Sequence, residues 1–78
     1  MSNLEDERRH LAQAEADIVD GERRVSAQEL LIEQLRRGGH ETREAEVLML
    51  TLRQTLDVWR GHRGSILQEI ARLERARG

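Results

Sequence analysis

The chain of 78 residues has no proline, no cysteine, no phenylalanine, no tyrosine and no lysine, and a single tryptophan, Trp59. Without cysteine there is no disulfide framework, and the redox compartment cannot be read. Without proline nothing forces a helix interior to break. With almost no aromatic material there is little bulk to fill a globular core. Long apolar runs are missing as well. The longest, Val47-Leu48-Met49-Leu50, falls far short of the roughly 20 residues that cross a bilayer. A unit this small, lacking staples, commonly makes up its shortfall by oligomerising, so a homodimer is expected.

An excess of either charge is also lacking. The formal net charge is −2, from 13 basic and 15 acidic side chains, so no global field draws the molecule onto nucleic acid or an anionic membrane. Met1 to Gly39 carries 6 arginines against 9 acids, and His40 to Gly78 carries 7 against 6, an asymmetry too small to argue from. The start, Met1-Ser2-Asn3-Leu4-Glu5-Asp6-Glu7, is acidic and without an apolar core. It therefore reads as neither secretory signal nor transit peptide, and a cytoplasmic location is expected.

What is present is a seven-residue rhythm. Leu4, Leu11, Ile18, Val25 and Ile32 precede a Gly38-Gly39 break, and Ala45, Leu52, Trp59, Ile66 and Leu73 follow it. This spacing is the seam of a coiled coil. Two such seams joined by a glycine turn predict an all-α fold, an antiparallel two-helix hairpin that dimerises into a four-helix bundle. One domain spans 1–78, with helix 1 over about 3–37, a turn at 38–41 and helix 2 over about 42–77. Ser2 with Glu5 has the spacing of a capping box, Arg36 and Arg37 suit the negative end of the first helix dipole, and Thr42 is the expected cap of the second helix. Acid-before-arginine pairs at helical spacing, Glu5 with Arg9, Asp20 with Arg24, Glu33 with Arg37, Asp57 with Arg60 and Glu69 with Arg72, describe solvated outer faces.

Folding back near Gly39 sets Ile32 near Ala45 and Leu48, Val25 near Leu52 and Thr55, and Ile18 near Trp59 and His62. Gly21 then reads as room for the Trp59 indole, and Ala14 as the small residue facing Ile66. Gly61 and Gly64 predict a local bend or a close packing of backbones, since each glycine costs a helix about 1 kcal/mol relative to alanine. Val47, Met49, Leu50, Leu56, Val58, Leu67 and Ile70 read as lying off the seam, with Leu30, Leu31 and Leu35 at the end of helix 1. This surplus gathers near the turn. Leu30, Leu31, Leu35, Val47, Met49 and Leu56 are accordingly the predicted partner and dimer interface, with a second copy or a different protein as its cover.

Chemistry is sparse. Glu7-Arg8-Arg9-His10 has the Glu-x-x-His spacing of two-metal bundles, but the second helix offers Trp59-x-x-His62 where a matching pair is needed. No metal, cofactor or catalytic residue is expected, since no hydroxyl stands in a nucleophile motif and no base has an orienting partner. His62 is read as a seam residue opposite the Asp17 region. Arg60, His62, Arg63, Arg72, Arg75 and Arg77 form the only basic stretch, diluted by Glu69 and Glu74.

Taken as a pattern, His10-Leu11-Ala12-x-Ala14-Glu15-x-x-Ile18-x-x-Gly21-Glu22-x-Arg24, Gln28-x-x-Leu31-Ile32-x-x-Leu35, Gly39-His40-x-Thr42, Thr55-Leu56 and His62-Arg63-x-x-Ile66-Leu67 resemble a group of short, uncharacterised bacterial helical-hairpin proteins. In that group histidine often stands where this chain has Trp59, and phenylalanine where it has Leu52. The resemblance implies the hairpin and no activity. His62 and Arg63, beside two glycines, remain candidates for an anion or partner contact. The function expected is a small helical protein–protein interaction module, an adaptor or regulator and not an enzyme; the alternative is a nucleic-acid-binding hairpin dimer.

Overall fold

The computed structural model describes residues 3–77, and in it the chain is two helices packed against each other. α1 runs Leu4–Arg37 and α2 runs Arg43–Arg77, giving a rod 61 Å long and 16 by 15 Å across. Among the described residues no helix is long and apolar enough to cross a membrane.

The cap of α1 is Asn3, one position later than the capping-box spacing places it. Its backbone is extended, and its Oδ1 accepts the Asp6 amide at 2.8 Å. An asparagine oxygen performs the same service for an open first-turn amide as a serine hydroxyl. Ser2 itself lies outside the described residues.

The reversal has a definite geometry. The His40 amide donates to the Leu35 carbonyl at 2.8 Å and the Gly39 amide to the Arg36 carbonyl at 3.0 Å, the paired bonds of a Schellman ending. That ending needs one residue in the left-handed region, and Gly39 supplies it with φ of 72°, where a side chain would be strained. Thr42 stands just before α2, its carbonyl accepting the Glu46 amide at 2.9 Å. The side-chain contact at this end comes from Glu41, whose Oε1 accepts the Arg43 amide at 3.3 Å.

Each helix contributes two series of seam positions, a and d of the heptad, spaced alternately by three and four residues. In α1 these are Leu4, Leu11, Ile18, Val25 and Ile32 for a, and Glu7, Ala14, Gly21, Gln28 and Leu35 for d. In α2 they are Met49, Leu56, Arg63 and Ile70 for a, and Ala45, Leu52, Trp59, Ile66 and Leu73 for d. All are buried or half-buried. The core proper is Ala14, Ile18, Ile32, Met49, Leu56, Ile66 and Ile70, and around Ala14, Ile66 and Ile70 the open end of the rod adds Leu4 and Leu11.

This corrects the expectation that Met49, Leu56 and Ile70 lie off the seam. They are its second series in α2. It also corrects the partner of Gly21. A β-carbon there would stand 3.1 Å from Leu56 Cδ1, so the space is kept for Leu56. In an antiparallel pair an a residue of one helix layers against a d residue of the other, and Gly21, a d residue, therefore meets an a residue instead of the d residue Trp59.

Two polar side chains are buried in the seam. Gln28 donates from Nε2 to the Ala45 carbonyl at 2.8 Å, tying the helices at a fixed register near the turn. Glu7 is buried with His10 Nδ1 3.6 Å from its carboxylate. α2 runs without a break through Gly61 and Gly64, and a β-carbon at either would meet nothing. Among the described residues no backbone from outside their own stretch of helix packs closely on them.

Candidate interaction face

The two flanks of the seam differ. On the flank of the e positions three ion pairs bridge the helices at seven-residue intervals: Glu22 with Arg60 at 3.4 Å, Glu29 with Arg53 at 3.0 Å, and Glu46 with Arg36. Between the last two lies an open groove of about 330 Å³, floored by Ile32 and Met49. These side chains remain about half exposed, so each pair contributes at most about 1 kcal/mol. Their larger effect is to fix which residues face each other. The opposite flank, that of the g positions, has no cross-helix ion pair among the described residues.

The outer faces carry the ion pairs read from the spacing. Glu5 with Arg9, Asp20 with Arg24, Glu33 with Arg37, Asp57 with Arg60 and Glu69 with Arg72 all form. The last is bidentate, with Arg72 Nε 3.2 Å from Glu69 Oε1 and 3.0 Å from Oε2. The Arg72 hydrogen bond holds the Glu69 carboxyl below its ordinary value, and Glu69 in turn raises the guanidinium above its own.

Of the predicted interface residues, the structure divides the set. Leu30, Leu31 and Val47 are exposed, Leu35 is half-buried at the last α1 seam position, and Met49 and Leu56 are only 7% and 5% exposed inside the hairpin. A charge at Met49 or Leu56 would strike the hairpin itself before any contact between molecules. Leu48 and Leu50 take their place in the exposed set.

His62 and Arg63 also change places relative to the reading. Four residues separate Trp59 from the next seam position, so Arg63 is the seam residue, half-buried, and His62 is exposed on the g flank. The His62 ring meets Trp59 edge-on at 5.9 Å between centroids, with 67° between planes. In the layering that sets Leu56 against Gly21, Arg63 falls level with Ala14, and its aliphatic stem can lie along the seam while its head stays in water. No carboxylate of the described residues pairs with it.

The Glu7 and His10 pair is not joined by further ligand types: among the described residues no group of three histidine, cysteine or carboxylate side chains could hold a metal ion. Of the basic stretch, Arg60 is engaged by Glu22 and Asp57, and Arg72 by Glu69. What the residue reading missed is the ladder of Glu22, Glu29 and Arg36 against Arg60, Arg53 and Glu46. Its signal is present in the chain as opposite charges at matching seven-residue intervals.

The chain matches no family model, no curated protein and no solved structure.

Proposed function

We propose that this chain is a small helical protein–protein interaction module, an adaptor or regulator that works as a homodimeric bundle. One observation carries the reading. With both seam series satisfied inside one hairpin, Leu30, Leu31, Val47, Leu48 and Leu50 still stand 43 to 62% exposed, all within about three helical turns of the reversal. Burying a side chain of this size contributes roughly 1.5 to 3 kcal/mol, so covering even Leu31 and Leu48, which share the g flank, outweighs any ion pair on the outer faces. The rest of the surface is dense in charge, at 36% of all residues, with Val19, Val58 and Leu67 as its further exposed large apolar side chains.

The test is mass in solution. Sedimentation equilibrium over a wide range of concentration should give twice the 9.0 kDa of the chain at the upper end. Leu31→Glu combined with Leu48→Glu should give the single-chain mass with helical circular dichroism retained, because both side chains are exposed in the hairpin. A wild type that stays monomeric throughout sinks the homodimer. An added oligonucleotide should leave the sedimentation unchanged; binding that weakens steeply with salt would put the nucleic-acid reading in its place.

A further inference from the structure

Around α2, charge is unevenly placed. The positions on the g-flank side, c and g of the heptad, read Leu48, Thr51, Thr55, Val58, His62 and Ser65 from near the turn outward. None is a carboxylate or an arginine, and all six are exposed. The stripe is bounded by Glu44 at one end and Glu69 at the other, and spans about 25 Å at the usual rise per residue. The corresponding stripe on the other flank, positions b and e, carries Arg43, Glu46, Arg53, Asp57, Arg60 and Glu74.

From this we infer that the uncharged stripe of α2 is the dimer surface, and that its occupant is the same stripe of a second copy, antiparallel and related by a two-fold axis near Thr55 to Val58. The inference rests on the homodimer proposed above and specifies its contact. A charged helix laid here would lose water from ions that the stripe cannot pair. The same stripe of a second copy brings no such ions. Two-fold closure requires a surface complementary to itself, and this one is, in a single register. Leu48 falls opposite Ser65, Val58 opposite Thr55, and Thr51 opposite His62, so that the largest apolar side chain meets the smallest residue, Val58 meets a threonine of nearly its own shape, and an imidazole meets a hydroxyl.

Two of the polar members are prepared for burial. The Thr51 hydroxyl donates to the Val47 carbonyl at 3.4 Å and the Ser65 hydroxyl to the Gly61 carbonyl at 3.3 Å. Their protons are satisfied within α2, which leaves their oxygens free to accept, in the case of Thr51 from the His62 ring of the second copy. Leu31 of α1 shares this flank near the turn and extends the apolar end of the contact. A shallow cleft lined by Gly21, Thr55, Leu56 and Trp59 together with Asp17, Asp20 and Arg24 of α1 opens beside the stripe. Arg24 there is paired with Asp20, and Asp17 accepts from Gln13, so a second copy seated here changes the surroundings of the one indole. A contact of one stripe per copy lies at the small end of specific interfaces, under about 1,200 Å² in total, and the dimer should therefore dissociate on dilution.

Val58 is 70% exposed, and Val58→Arg leaves the hairpin seam untouched. It should keep its helical circular dichroism, sediment at the single-chain mass where wild type is dimeric, and abolish the concentration-dependent shift of Trp59 emission. Val47→Glu, off the stripe on the back of α2, should leave the mass of the dimer unchanged. Because the chain has no cysteine of its own, Val58→Cys supplies a second readout, a disulfide-linked dimer on mild oxidation that Val47→Cys does not give. A wild-type dimer that survives Val58→Arg, or that is lost with Val47→Glu alone, overturns this surface and leaves the dimer standing. A wild type monomeric at every concentration overturns both.

Discussion

Leu56→Ala is expected to destabilise the hairpin by about 3 kcal/mol, which for a chain of this size lowers the melting temperature by roughly 10 to 25 °C. The magnitude follows from the neighbour across the seam. Leu56 is 5% exposed, and its Cδ1 occupies the space left by the missing side chain of Gly21. Truncation therefore opens a void with glycine on one side and alanine on the other. Neither has atoms to collapse into it, and the rigid α1 backbone cannot follow. Gly21→Ala on its own places a methyl 3.1 Å from Leu56 Cδ1, a tight approach that sets the gain in helix propensity against displacement of the leucine tip. Combined with Leu56→Ala it fills part of the void. The double variant should therefore be more stable than Leu56→Ala alone, with a coupling of about 1 kcal/mol between the two sites. Thermal and urea unfolding of the four proteins in this cycle measure it. Additive effects would mean that Gly21 and Leu56 do not touch.

That pairing also shows what the chain discloses and what it withholds. The d series of α2 and the a series of α1 are legible because every member is apolar at a strict interval of seven. The complementary series are legible only in part, since Ala14 and Gly21 read as small seam positions of α1 and the other members do not stand out. In α1 the d positions are Glu7, Ala14, Gly21, Gln28 and Leu35, mostly small or polar, so no apolar stripe announces them. In α2 the a residues Met49, Leu56 and Ile70 lie among Val47, Leu48, Leu50, Val58 and Leu67, and a nearly continuous apolar stretch hides its phase. With only Ala14 and Gly21 read in α1, the series is too incomplete to fix the phase of the one in α2. His62 and Arg63 are exchanged for the same reason, since a seven-residue count alone does not say where the step of four falls. The Gly38-Gly39 reversal, by contrast, is legible because few residues other than glycine accept the left-handed conformation it needs. The outer ion pairs are legible because they need only helical spacing. The ladder across the e flank needs the register first. The candidate face was half visible: Leu30, Leu31 and Val47 stand outside, whereas Met49 and Leu56 are consumed by a seam that composition alone did not reveal.

Gly61→Ala with Gly64→Ala is expected to stabilise the chain by about 2 kcal/mol, about 1 kcal/mol for each position, raising the melting temperature by roughly 8 to 16 °C. Both residues lie in the interior of α2 with ordinary helical backbone, and a β-carbon at either site meets no atom within 4 Å. The substitutions therefore remove freedom from the unfolded chain without straining the folded one. Gly61 also accepts the Ser65 hydroxyl through its carbonyl at 3.3 Å, a contact that a methyl on the far side of the backbone leaves intact. In heptad terms the two glycines occupy f and b, on the back and on the e-flank side of α2, away from the uncharged stripe. The stabilised variant should thus retain the wild-type dimerisation constant while its unfolding midpoint rises. If instead the midpoint rises and dimerisation weakens at least tenfold, the glycines mark a close approach of backbones between copies, and the contact runs over the back of α2. If the midpoint does not rise, the stretch from Gly61 to Gly64 is frayed in solution, and α2 behaves as two shorter helices sharing one seam.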